Sequence, residues 1–92
     1  MIEVLDRLAP FEEPEISAAL GAVLDGEDIT VHTSTSLTAV RRDQAGCTVT
    51  THGNGSGGPD VELSAEQLLI ATGRRPVTAG LNLDAVGVKI GP

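Results

Sequence analysis

Polar and charged residues directly follow three runs of strand-like sequence, and they offer the clearest chemistry in this chain. In chain order they are Asp6-Arg7, Thr33-Ser34 and Thr72-Gly73-Arg74. In open sheets of parallel strands, ligands bind beyond the carboxyl ends of the strands. There, Asp6 can accept hydrogen bonds from both ribose hydroxyls of NAD, whereas Arg7 can instead pair with the extra phosphate of NADP. Aspartate also suits turns, so a purely structural role for Asp6 stays open.

The single cysteine and the two histidines are weaker candidates for chemistry. One cysteine excludes an internal disulfide and a zinc site of the multi-cysteine type. Cys47 alternates with Val49 on the apolar side of a predicted strand, so we expect a buried thiol that behaves as a small hydrophobic group. His32 and His52 lie on the more polar faces without Asp or Cys at ligand spacing, so we expect them to face solvent.

Several elements must position these residues, beginning with a strand, a loop and a helix. Residues 1–6 are a short apolar run that predicts a strand, and the proline at position 10 predicts a loop. The helix is predicted over Pro14–Asp25, with Gly26 at its exit. Its apolar stripe, which needs a sheet or another helix to cover it, consists of Ile16, Leu20, Val23 and Leu24.

From residue 28 the hydrophobic period changes to two, which predicts half-buried strands near residues 29–32, 37–40, 47–52 and 61–64. Arg41 and Arg42 are predicted to belong to a surface turn that ends at Gly46. Glycine-rich residues 53–59 predict a flexible loop, and no helix follows that would make it a phosphate cradle. Residues 68–71 are continuously apolar, which is typical of a strand buried on both faces of a parallel sheet. The fold class is therefore predicted to be α/β, with a partial Rossmann-like, doubly wound parallel sheet and a three-stranded antiparallel excursion.

Composition excludes several classes of partner. Lys and Arg number 6 against 13 Asp and Glu, a net charge of −7, which disfavours nucleic acids and anionic membrane surfaces. Phe11 is the only aromatic residue, so no stacking platform for bases is available. No apolar run approaches the roughly 18 residues of a membrane span, and the acidic beginning does not resemble a signal peptide. We expect a cytoplasmic protein.

The segment that ends the last predicted strand resembles a known family. The sequence LLIATGRRP at residues 68–76, followed by GLNLDAVGV at residues 80–88, resembles the end of the pyridine-nucleotide domain in FAD-dependent pyridine nucleotide–disulfide oxidoreductases. The resemblance extends over nearly the whole chain. Within the family, the tail is most similar to that of bacterial mercuric reductases and next to that of lipoamide dehydrogenases.

The resemblance implies roles for particular residues in binding NAD or NADP. Asp6 matches the acidic residue that holds the adenine ribose, with Arg7 beside it. Leu37 matches an apolar residue of the adenine pocket, and Gly73 matches the motif glycine near the nicotinamide half. Arg74 and Arg75 lie beside the cofactors in the same motif, and either one can be the residue that points inward.

The redox pair C-x-x-x-x-C of the family is absent from the sequence, and no phosphate-binding G-x-G-x-x-G precedes the first predicted strand. The chain is therefore expected to be part of a longer, homodimeric flavoenzyme. Residues 1–76 would form the second half of the NAD(P)H-binding domain, and residues 77–92 a linker returning towards the FAD domain. The parent is expected to reduce mercury(II), and the chain alone to be inactive. The alternatives are a segment of dihydrolipoamide dehydrogenase and a truncated, non-catalytic α/β module that packs on a partner.

Overall fold

A computed structural model describes residues 1–55 and 58–91 of the chain. Its elements are one helix, three strands and a 3-10 turn: α1 (Pro14–Gly26), β1 (Thr35–Asp43), β2 (Gly46–Gly53), β3 (Val61–Ala65) and the turn Leu83–Val86. The predicted α/β class with a three-stranded antiparallel excursion is confirmed. No helix within the described residues is long and apolar enough to cross a membrane.

The first two predicted strands lie side by side in parallel and flank α1 in sequence, forming a β-α-β arrangement. The backbone N–H of His32 donates to the carbonyl of Met1 at 2.9 Å, and the N–H of Glu3 donates to the carbonyl of His32 at 2.8 Å. The paired stretch is shorter than predicted. Ser34 adopts φ 47°, which turns the backbone away from extended geometry and ends the parallel ladder there.

Helix α1 has the predicted bounds to within one residue, with Pro14 as its first residue. At that position the missing N–H costs nothing, because the first turn has no intrahelical acceptor for it. Its apolar stripe is largely uncovered, with Ile16 and Val23 both more than half exposed. The radius of gyration is 18.0 Å, against about 12 Å for a compact domain of this length. The chain is thus an open arrangement that leaves apolar surface uncovered.

The antiparallel sheet has the order β1-β2-β3, so β2 is paired on both sides. Cys47, Val49 and Thr51 are the buried residues of β2, which confirms the predicted alternation. The predicted surface turn at Arg41 and Arg42 is wrong. Both residues extend β1 opposite β2, because the turn is made one step later, where the Asp43 carboxylate accepts the N–H groups of residues 45 and 46.

The prediction of a buried strand at residues 68–71 is also wrong for this structure. Leu69 is 88% exposed and Ile70 64% exposed, and no strand forms there. Residues 68–71 and residues 1–4 line the same cavity, and no backbone hydrogen bond joins them among the described residues. A strand needs a hydrogen-bonded neighbour, so the apolar run stays irregular. The tail that follows contains the 3-10 turn Leu83–Val86.

Part of the predicted loop at residues 53–59, namely Ser56 and Gly57, lies outside the described residues, as does the terminal Pro92 of the predicted linker. Before that gap, Asn54 joins the sheet to the β-α-β part. Its backbone N–H donates to the carbonyl of Ser34 at 2.7 Å, and its side-chain amide donates to the carbonyl of Val4 at 3.2 Å. The Ser36 hydroxyl donates to the amide oxygen of Asn54 at 2.8 Å.

Candidate functional site

The predicted site residues lie in three separate regions of the structure. Asp6 and Arg7 line an open depression of about 360 Å³ beside α1. Leu37 lines a separate, larger cavity of about 700 Å³. Gly73 and Arg74 are exposed and line neither. The structure therefore does not bring the five residues together into one pocket.

Asp6 lies at the carboxyl end of the first parallel segment, as predicted. Its side chain is exposed and makes no hydrogen bond or ion pair with any other described residue. The chain is anchored on both sides of it: the N–H of Leu5 donates to the Glu3 carboxylate at 2.9 Å, and Leu8 is buried. A carboxylate with free acceptor sites is thus held at the edge where the two parallel segments end.

The side chain of Arg7, the next residue, forms hydrogen bonds within the fold. Its guanidinium donates to the carbonyl of Pro10 at 2.8 Å, to the carbonyl of Glu12 at 2.9 Å and to the Ser17 hydroxyl at 3.4 Å. These bonds cross a tight loop in which Ala9 adopts φ 46°, a left-handed conformation that costs about 1–3 kcal/mol in a residue other than glycine. Arg7 therefore satisfies the carbonyls of a strained loop and ties it to the first turns of α1.

The floor of the depression consists of small residues, which sequence analysis did not single out. Ser17 and Ala18 lie about one turn before Gly21 in α1, and Val31 and Thr33 line the same depression from the second parallel segment. The i, i+1, i+4 spacing of small side chains in α1 is a signal that could have identified this face. The sequence favours the apolar stripe as the covered side of α1, and that stripe does not include Ser17, Ala18 or Gly21.

Leu37 lies in a cavity whose walls are mostly apolar. It is 41% exposed and shares the cavity with Val49 and Leu63 of the sheet and with residues 67–72. A flat apolar group could rest against these side chains, in keeping with the role that the resemblance implies for Leu37. Thr72, of the predicted motif, lines the same cavity, and Gly73 follows it.

Gly73 is not required by the fold. A Cβ atom built there meets nothing within 4 Å, and its backbone does not have positive φ. Arg74 and Arg75 are exposed as well, with no partner among the described residues. Nothing in the packing of this chain explains a glycine at position 73, so its role beside a cofactor stays a prediction.

The remaining candidates have structural roles. Cys47 is a buried free thiol, as predicted. No group of three metal-ligating side chains occurs in the part of the chain that the structure describes. His52 is half exposed, and its Nδ1 lies 2.7 Å from a carboxylate oxygen of Asp60. Sequence analysis missed this pair because the two residues are separated by the glycine-rich loop and meet only when β2 and β3 pair.

Comparison with known proteins gives a consistent result over the whole chain. The family model described as pyridine nucleotide-disulphide oxidoreductase matches residues 1–92. A mercuric reductase of Streptomyces lividans is 52% identical over 90 residues, which are 98% of this chain and 18% of that protein. A dihydrolipoyl dehydrogenase of Thermus scotoductus is 33% identical over 90 residues, 98% of this chain and 19% of that protein.

A mercuric reductase of Bacillus cereus is 37% identical over 91 residues, which are 99% of this chain and 14% of that protein. The chain thus spans less than one fifth of the length of these curated relatives. The matched residues 1–92 include the stretches that form the β-α-β arrangement and the antiparallel sheet. The chain belongs to the pyridine nucleotide-disulphide oxidoreductase family.

Proposed function

We propose that this chain is a segment of a flavin-dependent NAD(P)H oxidoreductase and helps to bind the pyridine nucleotide. The observation that carries the proposal is the exposed Asp6 carboxylate, which has no partner among the described residues and lies at the carboxyl edge of the parallel pair. Two vicinal hydroxyls can each donate to one oxygen of a single carboxylate. The residues present therefore fit the ribose of a dinucleotide.

The chain's own residues would bind and orient rather than react. Asp6 would hold the ribose, Leu37 would supply apolar contact, and the backbone at Gly73 would allow close approach where a Cβ finds open space. A bound, reduced nicotinamide would supply hydride chemistry to the FAD of the parent enzyme, which would serve to reduce the final acceptor. None of the described residues offers a redox-active group for these steps, since the only thiol is buried in β2.

We propose mercury(II) as the final acceptor, supported by the 52% identity with the mercuric reductase of Streptomyces lividans. The second candidate is a dihydrolipoamide dehydrogenase, supported by 33% identity over 98% of the chain with the enzyme of Thermus scotoductus. Assays of the full-length protein distinguish them: nucleotide oxidation that depends on mercury(II) supports the first, and oxidation that depends on lipoamide supports the second. A homodimeric, cytoplasmic parent enzyme remains part of the proposal.

The third candidate is a non-catalytic α/β module that packs on a partner, and the uncovered apolar stripe of α1 favours it. One experiment on the full-length protein separates it from the other two. Asp6→Ala is expected to weaken nucleotide binding roughly 10-fold, the factor that corresponds to about 1.4 kcal/mol. Asp25→Ala removes an exposed carboxylate on α1 and serves as the matched control. A protein that binds neither NAD nor NADP would support the non-catalytic module.

A further inference from the structure

We propose that Asn54 is a site of spontaneous deamidation, and that the reaction weakens the junction between the antiparallel sheet and the β-α-β part. The junction consists of the hydrogen bonds that Asn54 makes to Ser34, Ser36 and Val4. The inference does not depend on nucleotide binding. It rests on the residue that follows Asn54, which is Gly55, and on the contacts of the Asn54 side chain.

The Asn54-Gly55 dipeptide places an electrophile and a nucleophile on neighbouring residues. The peptide nitrogen of Gly55 attacks Cγ of Asn54, and the new N–Cγ bond closes a succinimide ring. The Cγ–Nδ2 bond breaks, and Nδ2 leaves as ammonia with the proton that the peptide nitrogen loses. Water then opens the ring at either carbonyl, which gives aspartate or isoaspartate. Water is the only co-reactant, and no oxidant or reductant is needed.

The peptide nitrogen of Gly55 is open to this reaction. Gly55 is exposed, and a Cβ built on it meets nothing within 4 Å. No hydrogen bond joins its N–H to another described residue. Its φ of 86° is a conformation that residues with a side chain rarely adopt. The nucleophile is therefore neither shielded by a side chain nor bound to an acceptor in the described part of the chain.

The side chain of Asn54 is held only by exposed hydrogen bonds. Nδ2 donates to the carbonyl of Val4 at 3.2 Å, and Oδ1 accepts from the Ser36 hydroxyl at 2.8 Å. Water competes for groups at such positions, so the amide can leave both partners and turn towards the nitrogen of Gly55. Because Asn54 is itself exposed, water can also reach the ring for the second step.

Asn82, the only other asparagine in the sequence, lacks these features. It precedes Leu83, whose branched side chain crowds the peptide nitrogen that would have to attack. Its backbone is also held in the 3-10 turn, where its carbonyl accepts the N–H of Ala85 at 3.1 Å. Asn82 therefore serves as an internal control for the chemistry at Asn54.

Deamidation removes the donor with which Asn54 reaches the β-α-β part. In both products a carboxylate, which accepts hydrogen bonds but does not donate them, replaces the amide beside the carbonyl of Val4. Isoaspartate also inserts a methylene into the backbone next to the N–H that donates to the carbonyl of Ser34 at 2.7 Å. Only the hydroxyl of Ser36 keeps an acceptor. The reaction thus converts a junction of three hydrogen bonds into a weaker one.

The first test follows both asparagines in the full-length protein during incubation at mildly alkaline pH. Peptide mapping by mass spectrometry is expected to show aspartate and isoaspartate accumulating at Asn54, while Asn82 stays unmodified. Gly55→Ala should slow the reaction at least about 10-fold, which corresponds to a barrier higher by about 1.4 kcal/mol. Gly91→Ala, where a Cβ also meets open space, is the matched control and leaves the rate unchanged.

A synthetic peptide of residues 50–60, incubated in parallel, shows when the reaction has had enough time. If Asn54 is still intact in the protein once the peptide has been deamidated, the proposed site is wrong. Equal modification of Asn54 and Asn82 would also overturn it, because the reaction would then not depend on the features of Gly55.

The second test measures the consequence for the junction. Asn54→Asp supplies the aspartate product in pure form, and Asn82→Asp adds the same charge in the tail as its control. Hydrogen exchange of the Asn54→Asp backbone amide at position 54, in the full-length protein, is expected to be about 2- to 10-fold faster, as the loss of one exposed hydrogen bond predicts. The control should leave that exchange unchanged. Unaltered exchange in Asn54→Asp, or equally faster exchange throughout β2 and β3, would overturn a local weakening of the junction.

Discussion

Strand β2 buries its two apolar side chains, Cys47 and Val49, whereas residues 68–71 are continuously apolar and yet largely exposed. In β2, Cys47 is 7% exposed and Val49 6% exposed, whereas Leu69 is 88% exposed. The two segments differ in whether strands are hydrogen-bonded to them. β2 is hydrogen-bonded to β1 on one side and to β3 on the other, and both partners follow or precede it closely in the chain. Residues 68–71 line a cavity of about 700 Å³ together with residues 1–4, and no strand among the described residues is hydrogen-bonded to them. Apolar character alone does not bury a segment; a backbone partner must also be present.

The strongest test of this comparison places the same charge in both segments. Val49→Asp puts a carboxylate into the buried centre of the sheet, where a charge without a partner costs about 3–5 kcal/mol, a large part of the stability of a small domain. Leu69→Asp lies in solvent and is expected to change the free energy of unfolding by less than about 0.5 kcal/mol. Urea denaturation followed by circular dichroism measures both. Equal losses would mean that residues 68–71 acquire a strand partner in solution.

Two glycine substitutions are expected to change the free energy of unfolding by a smaller amount. They test the hairpin in which β1 pairs with β2. Gly46 has φ 143°, and a Cβ there would clash with the carbonyl oxygen of Ala65. Gly46→Ala is therefore expected to cost about 1–3 kcal/mol. Gly21→Ala is the matched control: it lies inside α1 with nothing near its Cβ, and alanine should stabilise it by about 0.5–1 kcal/mol. Thermal unfolding of the two variants should shift in opposite directions, and a loss in both would contradict the geometry at Gly46.

Substitutions at the junction between the sheet and the β-α-β part should lower the free energy of unfolding by still less. Asn54→Ala removes the bonds to the Val4 carbonyl and to the Ser36 hydroxyl, each worth about 0.5–1.5 kcal/mol at most because both are exposed. Ser36→Ala removes only one of them, so it should have about half the effect. The midpoint of urea denaturation gives the comparison. If Ser36→Ala is as costly as Asn54→Ala, the bond to Val4 contributes nothing.

The smallest effect on stability is expected at Gly73. A methyl group there meets open space, so Gly73→Ala should leave the melting temperature unchanged while weakening nucleotide binding in the full-length protein. Gly91→Ala also meets open space but lies outside the motif, and it should alter neither property. Calorimetric titration with NAD⁺ reports on binding. Unchanged affinity in Gly73→Ala would remove this residue from the proposed site.

Prediction from the sequence succeeded where the signal is local. The bounds of α1 follow from Pro14 and Gly26, and the buried residues of β2 follow from strict alternation. It failed at Arg41 and Arg42, because charged residues on an exposed strand face resemble those of a turn. Of the site, the position of Asp6 at a strand end was predictable. The engagement of Arg7 was not, because its acceptors are carbonyls, which every residue has and no pattern of side chains reveals.

The sequence by itself determined the family, the α/β class, the helix and the alternation of the antiparallel strands, since these depend on motif residues and on periodicity over a few positions. Only the tertiary structure decided which of the two neighbouring charges is free to meet a ligand. It also decided that the apolar run at residues 68–71 remains exposed. Both outcomes depend on which backbone groups find hydrogen-bonding partners, and such pairing is a property of atoms brought together in space.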